Sequence, residues 1–276
     1  MELFSRYSLR ASFFVSLGPD RSGRALRRAL RPSFLLKMLR TNPFRLYGLR
    51  TLLSGTLLPS RLIGEEAPDL LRAIVAGGHE LGIHGYDHVH WQDRVEVMDE
   101  AETAADLSRA VAAYEKLLGT KPTSSAAPGW RCTAASLSAQ DRLGFLYASD
   151  VRGVSPFLPV WNGRAFQTLQ VPVTLPTVDE LLGREKRINE LLISSLRDGL
   201  NVHTIHAEIE GRSYLGLFEG LITEFLRRGV EVLALREVVE GCLKNGFGTV
   251  SHVPVTCGKI AGRSGWVACQ GQRRKE

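Results

Sequence analysis

Glu80-Leu81-Gly82-Ile83-His84-Gly85-Tyr86-Asp87-His88 ends an apolar run on two imidazoles four residues apart. Side chains at that spacing converge on one point if the backbone turns helically after His84. Convergent neutral imidazoles are the commonest protein cradle for a catalytic transition metal. Taken alone, an HxxxH pair also describes two surface histidines. A second signal, Thr204-Ile205-His206-Ala207-Glu208, again closes a β-type run. Together the two signals predict a metal-dependent hydrolytic site built at strand ends, with His84 and His88 as ligands.

Working outward, β-like runs alternate with helix-like ones. Ala11–Leu17 and His79–His84 read as strands. Asp99–Leu118 carries apolar residues at helical spacing and stops at Gly119. Phe145–Asp150 and Leu169–Val173 read as strands, Ile188–Leu200 as a helix and Val202–His206 as a strand. Tyr214–Arg228 reads as a helix stopped by Gly229, Val230–Leu235 as a strand and Arg236–Leu243 as a closing helix. This rhythm predicts an α/β fold with a parallel sheet, open or closed into a barrel. His84, Asp150 and His206 then stand at C-terminal strand ends, where parallel α/β folds place their sites.

The 276 residues can bury one substantial core, and 44% hydrophobic with 23% charged residues is an ordinary globular composition. The net charge of +6 permits acidic partners without requiring them. Cys132, Cys242, Cys257 and Cys269 show no CxxC spacing, against a zinc ribbon or dithiol site, and their scarcity favours a reducing compartment. No apolar run approaches the ~20 residues of a membrane span. Arg6 and Arg10 before Ala11–Leu17 mimic a signal peptide, but the run is short and leads straight into Gly18-Pro19-Asp20. The cytoplasm is expected.

Two segments break the rhythm. Between Asp20 and Glu65 stand ten cations and no acid: Arg21, Arg24, Arg27, Arg28, Arg31, Lys37, Arg40, Arg45, Arg50 and Arg61. Leu35, Leu36, Met38, Leu39 and Phe44 are interleaved. The segment reads either as a solvated helical excursion or as a basic amphipathic insertion resting on anionic lipid. Its apolar content argues against a phosphate-tracking groove for nucleic acid. The second misfit is the Gly-rich tail Asn245–Glu276, which carries no assignable pattern and is expected to be partly mobile. The domain reading is a unit at 1–244, with the insertion at 20–64, and a tail at 245–276.

The ordered set His84-Gly-Tyr-Asp-His88-Val-His-Trp91, Ser125-Ala-Ala-Pro-Gly-Trp-Arg131, Tyr147-Ala-Ser-Asp-Val-Arg-Gly153, Val171-Pro-Val-Thr-Leu-Pro-Thr177 and Thr204-Ile-His-Ala-Glu-Ile-Glu-Gly211 resembles the polysaccharide-deacetylase (NodB-homology) family. It is most similar to the branch that deformylates undecaprenyl-phosphate 4-deoxy-4-formamido-L-arabinose, which serves lipid A modification and polymyxin resistance. Phe13-Phe-Val-Ser-Leu-Gly-Pro-Asp20, Leu36-Lys-Met-Leu-Arg40 and Leu46-Tyr-Gly48, followed by Leu53-Ser-Gly-Thr56, fit that branch too. The resemblance covers roughly residues 10 to 240.

It implies a deformed (β/α) barrel with a divalent metal ion (zinc, cobalt or manganese) at its mouth. It makes His84 and His88 the metal ligands, His206 the general acid, Asp150 the carboxylate that tunes it, and Arg131 the residue orienting the catalytic base. Trp130 and Tyr86 are the expected substrate contacts. The implied partners are a polyprenyl-phosphate-linked aminosugar and an anionic membrane surface, with no nucleic acid, at the cytoplasmic face of the inner membrane and without a transmembrane segment. The family begins with a strand bearing two aspartates, one the base and one a ligand, whereas this chain has no aspartate before Asp20. The first strand is therefore expected to be missing from this chain, leaving the edge of Ala11–Leu17 exposed. The competing readings are a deacetylase of another amide-bearing sugar and a catalytically dead lipid- or sugar-binding homologue.

Overall fold

The structure is a computed structural model that describes residues 1–30, 48, 50–244 and 250–272. Arg31, Lys37, Arg40, Arg45, the apolar Leu35, Leu36, Met38, Leu39 and Phe44, and the terminal Arg273-Arg274-Lys275-Glu276 lie outside the described residues.

The two apolar runs at Ala11 and His79 form Ser12–Val15 (β1) and Glu80–Ile83 (β2), paired in parallel with Ser12 opposite Glu80 and Val15 opposite Ile83. Ser124–Ser125 (β3), Tyr147–Ala148 (β4) and Leu169–Gln170 (β7) extend the sheet in the order β1-β2-β3-β4-β7, every pairing parallel. Parallel neighbours need long crossovers. Helices Pro68–Ala76, Glu100–Leu118 and Ala134–Leu143 supply the first three. Glu100–Leu118 starts one residue after the expected Asp99, which is its cap. Asp99 accepts from the Glu102 amide, the Glu102 side chain accepts in return from the Asp99 amide, and the helix ends on Gly119 at φ 73°.

One apolar layer packs Leu81, Ile83, Trp91, Leu107, Ala110 and Tyr114 between the sheet and its crossovers. A second gathers Leu3 and Phe4 of the N-terminal helix Glu2–Arg6 with Val178, Leu192, Phe218 and Leu221. Beneath β2, the buried Glu80 carboxylate accepts from Ser12 Oγ, from Ser124 Oγ at 2.7 Å, from Tyr147 Oη at 2.7 Å and from the Arg236 amide at 3.1 Å. These donors come from distant parts of the chain, so one carboxylate ties the closing helix Leu235–Lys244 to the first two strands.

The architecture is the expected α/β fold with a parallel sheet of deformed-barrel type, with local corrections. Val202–His206 and Val230–Leu235 are not strands. A strand needs a continuous ladder, and Val202 meets its neighbour only through the Thr174 and Leu175 amides and Thr174 Oγ. The Leu235 amide donates to a side chain, Ser12 Oγ, instead of to backbone. The helix from Ile188 ends at Ser194, short of the expected Leu200. The tail, given no element from sequence, contributes His252–Gly258 (β8) and Val267–Gln270 (β9), an antiparallel pair. With Leu158–Trp161 (β5) and Arg164–Ala165 (β6) they build a second sheet in the order β6-β5-β8-β9.

Candidate active site

His84 follows the last residue of β2, and its backbone amide is held by the Val15 carbonyl at 3.1 Å. Gly85 then turns the chain at φ 63°, and Asp87 caps helix His88–Arg94 by accepting from the His90 amide at 3.0 Å. No helix spans both histidines. A left-handed glycine between strand end and helix start brings them together, with ring centroids 5.1 Å apart. The other Asp87 oxygen receives Arg21 at 2.6 Å, so this carboxylate is committed to capping and an ion pair and is not a third ligand.

The pair suits a metal chemically. His84 Nδ1–H donates to the Ala126 carbonyl at 2.8 Å, which fixes the tautomer and leaves Nε2 as the free donor. Burial pushes the His84 ring down to about 4, with His206 adding to the effect. Burial likewise drives His88 well below its ordinary value, helped by His84, Arg28, His206 and Arg263. Both rings are thus neutral near pH 7, the state a metal requires. Among the described residues, no group of three or more His, Cys, Asp or Glu forms a complete metal cluster.

His206 is near enough to depress both rings electrostatically. Its amide donates to Glu210 Oε2 at 2.8 Å, and its carbonyl receives the Ile209 and Glu210 amides, opening the π-helical turn Ile209–Ser213. Such turns often mark functional sites. Its Nδ1 is shielded from solvent and stands 3.7 Å from Asp179 Oδ1. Glu210 is fully buried, and this burial raises its carboxyl to about 7.

Among the described residues, no ion pair joins Asp150 to His206. Its Oδ2 accepts from Gln140 at 2.6 Å and Gln170 at 3.3 Å, and burial raises it to about 6. The carboxylate at ion-pair distance from His206 is Asp179, which sequence reading missed although it lies two residues past the quoted Thr177. Thr177 Oγ1 donates to Asp179 Oδ1 at 2.5 Å, and the Thr177 amide donates to Glu180 at 3.1 Å. This capping of helix Val178–Leu181 is the sequence signal that could have marked it.

Arg131 donates to the Gln92 carbonyl at 2.5 Å, while its own carbonyl accepts from Trp91 Nε1 at 2.8 Å. Trp130 holds φ 53°, a conformation rare for a bulky residue. Only 5% of Trp130 is exposed, and Arg152 and Arg263 lie over its ring at 4.9 and 4.3 Å. A buried ring offers no face to a sugar, so the expected direct contact is replaced by a platform for two guanidiniums. Tyr86 lies under Arg109 at 5.0 Å and lines a cleft of about 130 Å³ with Pro19, Arg21, Asp87, His90 and Arg109. Gly18 is needed there: a Cβ would overlap the Tyr86 carbonyl oxygen, to which the Gly18 amide donates.

The basic insertion is partly spent inside the protein. Arg21 pairs with Asp87, Arg28 with Asp93 at 2.7 Å and Arg61 with Glu66 at 2.7 Å, so acids from outside the segment or at its margin answer its cations. Arg24 stays exposed in the 3₁₀ stretch Ser22–Leu30, its Nε donating to the Gly55 carbonyl.

The profile of the Polysaccharide deacetylase family matches residues 1–148. A Shewanella sediminis protein named 4-deoxy-4-formamido-L-arabinose-phosphoundecaprenol deformylase ArnD is 40% identical over 245 residues, covering 87% of this chain and 79% of that protein. A polysaccharide deacetylase from Mycobacterium smegmatis superimposes with a TM-score of 0.56 at 19% identity, over 91% of this chain and 93% of that one. A family 4 acetyl xylan esterase from Clostridium thermocellum, solved with a cobalt ion, superimposes at 0.51 and 14% identity, over 88% and 82%. Both superpositions speak to the fold.

Proposed function

The chain belongs to the polysaccharide deacetylase family, and from that membership we propose that it is a metal-dependent hydrolase removing the formyl group from undecaprenyl-phosphate 4-deoxy-4-formamido-L-arabinose. The freed amine supplies aminoarabinose for lipid A modification and polymyxin resistance. The observation that carries the hydrolase reading is the convergence of His84 and His88, both neutral, with one Nδ1 tied to backbone. The name of the Shewanella relative carries the choice of substrate.

His84 and His88 would hold a divalent cation such as zinc, cobalt or manganese. When bound, such an ion polarises the amide carbonyl and acidifies water. His206 is the general acid. With Nδ1 turned toward Asp179, its Nε2 is left to protonate the departing amine. Glu210, whose carboxyl burial raises to about 7, orients His206 by accepting from its amide. Arg131, fixed to the Gln92 carbonyl, would orient a catalytic base that none of the residues named above supplies.

A polyprenyl chain keeps this substrate in a bilayer, so the enzyme works as a peripheral protein on the cytoplasmic face of the inner membrane, meeting an anionic surface. Among the described residues, no helix is long and apolar enough to cross a membrane. The exposed Arg24 supports such a contact.

The test is release of formate from a short-chain polyprenyl-phosphate analogue of the formamido sugar, with zinc, cobalt or manganese supplied. Formate release matched by free amine is expected. Binding without release would replace the enzyme by a binding protein, and faster cleavage of the acetamido analogue would make it a deacetylase.

A further inference from the structure

We infer that Arg263, carried by the loop between β8 and β9, is a positioning residue for His206, acting through Asp179, and that this C-terminal hairpin is a built part of the active site. The inference rests on the assignment of His206 as general acid. Arg263 Nη1 lies 3.9 Å from Asp179 Oδ2 and 3.4 Å from Glu180 Oε1, while the other Asp179 oxygen faces His206. Arg152 shares that Glu180 oxygen at 2.9 Å. The side chains of Arg263, Asp179 and Glu180 are only 12%, 6% and 2% exposed. Away from water, charge interactions are strong and displacements costly.

Close backbone approach shows that the loop is fitted to this place. Gly262 has φ 90°, and a Cβ there would overlap the Glu180 carbonyl oxygen. Gly265 has φ 86°, and a Cβ there would overlap the Arg131 guanidinium, which also lies 5.4 Å from the Trp266 ring. One loop is thereby wedged between the helix bearing Asp179 and the arginine expected to orient the base. Its root is pinned to the loop after β4, where the Arg152 amide donates to Ala268 at 2.9 Å and the Gln270 amide returns to Arg152 at 2.7 Å. Between these anchors Arg263 is held over Trp130 and aimed at Asp179. Such a chain sets which way Asp179, and hence the His206 ring, can turn.

The test uses the whole chain with Arg263→Gln, Arg263→Lys, Asp179→Asn and Gly262→Ala. Turnover of the formamido analogue and histidine ring-carbon NMR are measured, with the His206 signals identified by their loss in His206→Gln. Arg263→Gln should lower kcat roughly tenfold at unchanged KM, a part of the ~10²- to 10⁴-fold carried by general acid catalysis. It should also displace the His206 ring signals as Asp179→Asn does, while metal retention stays intact. Arg263→Lys should recover most of both effects, and Gly262→Ala should reproduce the loss by shifting the loop. Parental kcat and unmoved His206 signals in a folded Arg263→Gln protein would overturn the inference, as would a change confined to KM. The NMR readout decides even without turnover, whereas failure of the hydrolase reading appears separately as a parent protein that neither retains metal nor releases formate.

Discussion

Asp179 Oδ1 stands 3.7 Å from His206 Nδ1, while Asp150 is held by Gln140 at 2.6 Å and has no such approach to the imidazole. Two carboxylates that both follow β-type runs thus have different work. Asp179 faces the proposed acid His206, whereas Asp150 is buried and held by Gln140 and Gln170.

His206→Ala should lower kcat ~10²- to 10⁴-fold with little change in KM. Adding Asp179→Asn to it should cost almost nothing further, because residues acting as a unit are strongly non-additive. Asp150→Asn should instead multiply independently with His206→Ala. Steady-state kinetics of the single and double variants check this, and coupling to Asp150 in place of Asp179 would reverse the assignment.

His84→Ala and His88→Ala should each abolish stoichiometric metal retention, read by elemental analysis after dialysis. With the His84 ring held at about 4 by burial, protons compete for it only in acid, so retention should persist to about pH 5. Loss centred near the ordinary histidine value, about 6.5, would mean that the rings are open to water. Gly85→Ala should also weaken retention, because φ 63° costs an L-residue about 1 to 2 kcal/mol and its relief separates the rings.

Glu210 and Asp150 give stability a pH dependence of defined sign. Each is raised in the folded state, to about 7 and about 6, so each favours folding by its neutral form. That contribution is complete below the unfolded carboxyl values of about 4 and is lost as pH rises through the folded ones. Denaturant unfolding of Glu210→Gln should show the variant gaining on the parent between about pH 4 and 7, by up to about 3 kcal/mol, then levelling. A difference independent of pH would show that Glu210 is ionised throughout.

Arg24→Gln with Arg27→Gln should reduce binding to anionic vesicles, and salt should do the same because screening acts within about 10 Å at 0.1 M. Arg28→Gln should act differently. Arg28 bonds Asp93, Gln92 and the Val89 carbonyl on the helix that begins at His88, so its loss should lower Tm and disturb metal retention. Vesicle binding indifferent to salt and to Arg24 and Arg27 would remove the membrane contact.

The sequence determined what local chemistry can determine. Apolar runs gave β1 and β2, helical spacing and Gly119 gave the helix that ends at Leu118, and spacing marked His84 and His88. The order of motifs identified the family. Only the tertiary structure decided which carboxylate meets His206, since Asp150 and Asp179 both follow strand-like runs and their neighbours come from remote segments. It also decided that Val202–His206 is not a strand, because a ladder depends on its neighbour. And it showed the tail to be a hairpin delivering Arg263 to the site, through a long-range approach that only Gly262 and Gly265 allow and that no local periodicity encodes.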